Sequence, residues 1–174
     1  MKLPAFVVFA FFLCLSNLSF SASGDSHFQW ESSAGLHFEK QIYQKLSLTL
    51  SGYYSFGADW ELGRYNHGPE IELGIRHYFN SVSFERFHMG LTVGSFYQAI
   101  HINEPYLGVK VGALFGDRYA LVLHRGWFFE NRITLEPFIK AEILLPIANN
   151  SDSSSHADYL ISIGANICLL FALY

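Results

Sequence analysis

Leu46 to Phe56 reads Leu-Ser-Leu-Thr-Leu-Ser-Gly-Tyr-Tyr-Ser-Phe, and alternate residues fall into two sets. Leu46, Leu48, Leu50, Gly52, Tyr54 and Phe56 form one; Ser47, Thr49, Ser51, Tyr53 and Ser55 form the other. Successive side chains of a strand point to opposite faces, so this segment has an apolar and a polar face. A helix would scatter both sets around its axis. The run has the length of a strand that crosses a bilayer at a tilt, roughly 9–11 residues.

The pattern recurs down the chain. Trp30, Ser32, Ala34, Leu36 and Phe38 alternate with Glu31, Ser33, Gly35, His37 and Glu39. In Glu70–Phe79, Ile71, Leu73, Ile75, His77 and Phe79 oppose Glu70, Glu72, Gly74, Arg76 and Tyr78. Phe87–Tyr97, Tyr106–Gly116, Arg132–Leu145 and Tyr159–Tyr174 alternate likewise. Tyr119–Phe129 is the faintest, because Ala120 and Val122 make both its faces apolar. Gly116-Asp117 suits a tight turn, Glu130-Asn131 another. Gly57–Gly68, His101–Pro105 and Pro146–Asp158 read as connections, and Pro137 suggests an edge or bulge. The count is about eight strands, the size of the smallest membrane barrels. With both ends on one side, this division puts Gly57–Gly68 on the side of the termini, whereas long loops normally lie outside.

Met1–Gly24 reads as a secretory signal: Lys2, an apolar Ala5–Leu15, then small residues around Ser19-Phe20-Ser21 and Ser21-Ala22-Ser23. Residues 25–174 are then one domain, the prior for this length. If Cys14 leaves with the signal, Cys168 is alone and no disulfide supports the fold. Only 15% of residues are charged, against the usual ~25%, while 17% are aromatic. The net charge of −4 offers no basic surface for nucleic acid.

A period of two does not say which face lines a barrel. Size decides: the interior of eight strands is only wide enough to be filled by side chains. The polar faces carry the small residues Gly35, Ser47, Ser51, Gly74, Gly90, Gly94, Gly108, Gly112 and Gly164. They also carry Glu70, Glu72, Arg76, Lys110, Glu136, Lys140 and Glu142. These charges can pair inside a narrow lumen; on lipid each would cost a few kcal/mol at mid-depth. His37, His88 and His124 could add donors. Aromatic residues at strand ends, such as Tyr78/Phe79, Tyr97 and Trp127–Phe129, suit interfacial girdles. The fold expected is an all-β, closed antiparallel up-and-down transmembrane barrel. A soluble periplasmic ligand-binding barrel would put the apolar faces inside.

With its leader, alternating strands and terminal Leu-Leu-Phe-Ala-Leu-Tyr, the chain resembles the small eight-stranded outer-membrane proteins of the OmpA transmembrane-domain or OmpX type. Gly74-Ile75-Arg76-His77-Tyr78-Phe79 is similar to strand ends of such barrels. Tyr174 departs from the pattern, having the parity of the polar set. The resemblance implies an outer-membrane location, contact with outer-membrane lipid and lipopolysaccharide, insertion by the barrel-assembly machinery and a monomeric state. The function expected is structural, adhesive or envelope-related, with a plugged lumen.

The alternative is a lipid A-modifying enzyme, a deacylase or acyltransferase. Arg76-His77-Tyr78-Phe79-Asn80 is similar to the Arg-His-x-Ser-Asn signature of the lipid A deacylases, with His77 as base and Asn80 as oxyanion donor. Phe79 stands where that family has its serine, and Ser81 comes two residues late, so the nucleophile's hydrogen-bond geometry is missing. His67 with Asp59, or His156 with Asp152 and Ser153, could form an acyltransferase-like set, without diagnostic spacing. The lumen carboxylates could in principle act as general acid and base. The histidines show no metal-binding spacing and no phosphate loop is present, so no catalytic residue, metal or cofactor is assigned.

Overall fold

A computed structural model describes residues 9–23, 28–59, 64–79, 86–100, 104–125, 129–149 and 158–173, with side chains over 31–58, 67–79, 86–99, 107–124, 131–145, 147 and 159–169. The described chain is β-strand apart from a two-residue turn at Gln44-Lys45 and a bend at Phe79. The strands are β1 (Phe9–Ser23), β2 (Phe28–Tyr43), β3 (Leu46–Asp59), β4 (Arg64–Tyr78), β5 (Arg86–Ile100), β6 (Glu104–Arg125), β7 (Phe129–Asn149) and β8 (Asp158–Leu173). Each pairs antiparallel with the next, and β2–β8 form the curled sheet that carries the described side chains.

The sequence reading misdivides the middle of the chain. Gly116-Asp117 is not a turn: β6 runs through it for 22 residues, joining the expected Tyr106–Gly116 and Tyr119–Phe129 strands as far as Arg125. The ladder to β5 continues through His88↔Gly116, Phe87↔Asp117 and Arg86↔Arg118. Gly116 serves packing instead. A Cβ there would lie 2.9 Å from the His88 ring on the neighbouring strand. Glu130-Asn131 is likewise inside β7, which also extends past Pro146 to Asn149. Pro137 lies in the interior of β7, on its exposed side. Its missing N–H fits the ladder, which pairs it with Ala165 of β8 but has no rung to β6 between Gly116↔Phe138 and Tyr119↔Leu135.

Merging those two segments leaves seven strands after Gly24. It also moves the 60–63 connection to the end opposite the C-terminus, together with 101–103 and 150–157, while Gln44-Lys45, 80–85 and 126–128 share the C-terminal end. The loop-side conflict of the eight-strand division disappears, because its parity came from the false turn.

The remaining strand, β1, comes from the segment read as a signal. It pairs with β2 from Phe9↔Lys40 to Ala22↔Phe28 and with β8 from Phe9↔Leu173 to Ser23↔Leu160. Cys168 is disulfide-bonded in this arrangement, and the residue opposite it in register is Cys14. The expectation of a lone Cys168 applies to a chain from which Cys14 has been removed.

The two faces of β2–β8 are inverted relative to a soluble protein. Leu36, Phe38, Leu48, Leu50, Ile71, Leu73, Ile75, Leu91, Val93, Val111, Ile139, Ile143, Ile161 and Ile163 are exposed, Leu91 by 70%. Ser33, Glu39, Ser47, Ser51, Glu70, Glu72, Arg76, Lys110, Thr134, Glu136 and Glu142 are buried. A soluble barrel requires the reverse, because exposed apolar surface costs free energy in water. From Leu46 to Phe56 the outward residues of β3 cover ~34 Å along the strand, or ~25 Å along a membrane normal at a tilt of about 40°. No described helix is long and apolar enough to cross a membrane.

Candidate functional site

The buried polar faces of β2, β4, β6 and β7 converge on a lumen organised in two layers. The layer nearer the C-terminal end is built on Glu39 of β2, Arg76 of β4, Arg118 of β6 and Glu136 of β7. Arg118 Nη1 donates to Glu39 Oε2 at 2.9 Å and Arg118 Nε donates to Glu136 Oε2 at 2.5 Å. Arg76 Nη1 lies 3.3 Å from Glu136 Oε2 and 3.9 Å from Glu39 Oε2. Tyr78 donates its hydroxyl proton to Glu39 Oε1 at 2.6 Å and accepts from Arg118 at 3.1 Å. Ser47 donates to the same Glu39 oxygen. His37 shares a hydrogen bond with Ser51 at 2.7 Å, and its other ring nitrogen is 3.6 Å from Glu39. The His88 ring lies tilted against Tyr78, 5.2 Å between ring centres, with its Nε2 3.5 Å from Glu136. Two cations thus face two carboxylates in a layer where Glu39 and Arg118 are each only 1% exposed.

The second layer lies toward the other end. Lys110 of β6 contacts Glu70 of β4 and lies 3.4 Å from Glu72 and 3.5 Å from Glu142. Lys140 of β7 lies 2.6 Å from Glu72 and 2.9 Å from Glu142. Ser55 donates to Glu70 at 2.8 Å, and the Lys110 ammonium sits 5.3 Å from the centre of the Tyr53 ring. Glycine makes room for these side chains: a Cβ at Gly112 would lie 2.9 Å from Thr92 Oγ1 and 3.0 Å from Glu142 Cγ.

Two cavities of about 80 Å³ each flank a partition of Ser33, Tyr53, Phe138 and Lys140, which line both. One is lined by His37, Arg76, Arg118 and Glu136, the other by Glu31, Glu70, Lys110 and Glu142. Such volumes hold a few waters. The decisive contact is Glu39–Arg118, because β2 and β6 are four strands apart in the sheet and their side chains meet across the lumen.

All seven charges singled out in the sequence lie in these layers. Glu39 and Arg118 do not figure in that set. Glu39 was legible by parity, lying two residues beyond His37 on the polar face. Arg118 was hidden by the false turn; in a continuous β6 it shares the parity of Lys110, Gly112 and Leu114. His124 is exposed on β6 and takes no place in either layer.

Of the sequence's catalytic candidates, His77 and His67 have described side chains. His77 is on the exposed side of β4, edge-on to Phe79 at 5.2 Å between ring centres. Asn80, Ser81, Asp152, Ser153 and His156 lie outside the described residues, as does the side chain of Asp59. His67 is hydrogen-bonded to the Tyr54 hydroxyl at 2.7 Å. Among the described residues no group of histidine, cysteine and carboxylate side chains could hold a metal ion.

Aromatic residues collect at both ends of the outer face. Phe79, Phe87 and Phe115 follow one another at 5.5 and 5.9 Å near the C-terminal end. Tyr54, Phe56 and His67 cluster near the other, with Tyr97 exposed on β5. The expected Trp127 lies outside the described residues.

Searches of protein-family models and of curated protein sequences give no match. Solved structures do match in shape. The crystal structure of Neisserial surface protein A is similar over 96% of this chain and 95% of its own, at 10% identity and a TM-score of 0.54. Weaker similarities are to the outer membrane protein AlkL in lipid bilayers (10% identity, 96% and 90% covered, TM-score 0.47) and to OprG from Pseudomonas aeruginosa (9%, 97% and 96%, 0.41). The chain has the fold of the small outer-membrane β-barrels.

Proposed function

We propose that this protein is an integral outer-membrane barrel with a plugged lumen, serving a structural, adhesive or envelope role through the connections at its rim. The observation that carries the reading is the inversion of its faces: isoleucine, leucine and valine outside, ion pairs inside. The Glu39–Arg118 contact across the lumen supports the plug. A permeating ion would have to displace a buried pair, at a cost of several kcal/mol. Met1–Gly24 directs export and is removed in this reading. The barrel-assembly machinery inserts the chain, which works as a monomer among lipid and lipopolysaccharide.

Planar-bilayer recording of the purified mature protein tests this. The expected result is an intact mass lacking the leader and no stable conductance. Reproducible ion-selective channels would defeat the plug, and a mass retaining Phe9–Ser23 would make β1 a permanent strand.

A further inference from the structure

The aromatic cluster at the end opposite the C-terminus has a feature that an interfacial girdle does not need. Tyr54 and Phe56 of β3 and His67 of β4 lie on the outward face with ring centres 5.0, 6.0 and 6.1 Å apart. The His67 ring is within 25° of parallel to Tyr54 and 29° of parallel to Phe56. A hydrogen bond of 2.7 Å ties His67 Nδ1 to the Tyr54 hydroxyl, fixing the imidazole in the array. All three residues are exposed. In register, Ala34 stands opposite Tyr54 on one flank and Pro69 on the other, Ser32 opposite Phe56 and Ala99 opposite His67.

A plain girdle uses amphipathic rings to sit at headgroup level. Here a polar Tyr–His pair is built into an exposed aromatic surface. That combination suits a ligand with an apolar ring face and polar edges, which is a sugar rather than an acyl chain. The connection 150–157, the longest of those between the described strands, is at this end, and long connections mark the outer side of such barrels. We propose that Tyr54, Phe56 and His67 form a docking platform for the sugar headgroup of lipopolysaccharide in the outer leaflet. The inference rests on the outer-membrane reading and adds a ligand class to it.

The test uses the folded protein in vesicles of phosphatidylethanolamine and phosphatidylglycerol, with and without deep-rough lipopolysaccharide. Bound lipopolysaccharide is measured by native mass spectrometry after extraction. The variant His67→Phe keeps an aromatic residue in the belt and removes the imidazole. Tyr54→Phe keeps the ring and removes the hydroxyl. The wild type is expected to retain lipopolysaccharide, and each variant to insert normally while binding it about tenfold more weakly, a loss of ~1.4 kcal/mol. Wild-type retention in both variants would overturn the platform and leave an ordinary girdle. A wild-type protein that inserts into vesicles but holds no lipopolysaccharide would also overturn it, with the membrane reading intact. Failure of the wild type to insert into either vesicle would overturn both.

Discussion

Arg118→Ala lowers the stability of the barrel by about 3–5 kcal/mol, the cost of breaking a buried ion pair and leaving charges uncompensated. Arg118 is the shared donor of its layer: it bonds Glu39 at 2.9 Å, Glu136 at 2.5 Å and the Tyr78 hydroxyl at 3.1 Å. Its loss leaves two buried carboxylates with Arg76 as the remaining described arginine, and Arg76 is more distant from both. Arg76→Ala should therefore cost less than Arg118→Ala. Arg118→Lys should not restore the wild type, because an ammonium cannot serve several fixed acceptors as a guanidinium fork does. Urea unfolding in detergent micelles or vesicles measures all three. A double-mutant cycle with Glu39→Gln reads the coupling across the lumen directly. An Arg118→Ala barrel within ~0.5 kcal/mol of the wild type, the range of ordinary surface changes, would mean that the layer does not hold the lumen shut.

Leu50→Arg costs about 2–4 kcal/mol in a bilayer, while the same change at Tyr43 costs about 0–1 kcal/mol. Both positions are exposed, Tyr43 by 72% and Leu50 by 44%, so a protein surrounded by water would tolerate arginine at either. They differ in depth. Tyr43 adjoins the Gln44-Lys45 turn, whereas Leu50 lies well inside β3 between Phe38 of β2 and Leu73 of β4. The penalty follows the desolvation of a guanidinium at mid-bilayer and fades where the side chain can reach the interface. Folding titrations of both variants in vesicles check the difference. Equal, small costs at the two sites would place Leu50 in water.

The fold class was legible because the barrel obeys a period-two rule almost everywhere and the facing follows from volume. Lumen residues such as Ser47, Ser51 and Gly112 are small because little space remains, and Leu50, Leu73 and Val93 are large and apolar because nothing polar faces them. Element boundaries were less legible. Gly116-Asp117 has turn composition, but glycine inside a barrel also clears room for a neighbour, here His88, and the sequence alone does not separate the two uses. That ambiguity concealed Arg118, and with it the contact that spans the lumen. The pairing of the charges was hidden for another reason. Glu39 and Arg118 are 79 residues apart, and only the curl of the sheet brings β2 and β6 face to face. Phe9–Ser23 was read from its apolar composition as part of an export leader, and the same composition suits a strand between β2 and β8.

The central claim is the inversion of the two faces, and nitroxide scanning of β3 tests it most directly. A single spin label is moved along Leu46–Phe56 in the vesicle-reconstituted protein, and collisions with oxygen and with a water-soluble nickel complex are recorded at each site. The expected result is oscillation with a period of two: labels at 46, 48, 50, 54 and 56 meet oxygen and are shielded from nickel. Oxygen contact should be greatest near Leu50, and labels at 47, 49, 51 and 55 should meet little of either. Nickel contact at Leu48 and Leu50 equal to that at an exposed loop, or no alternation along the strand, would contradict it.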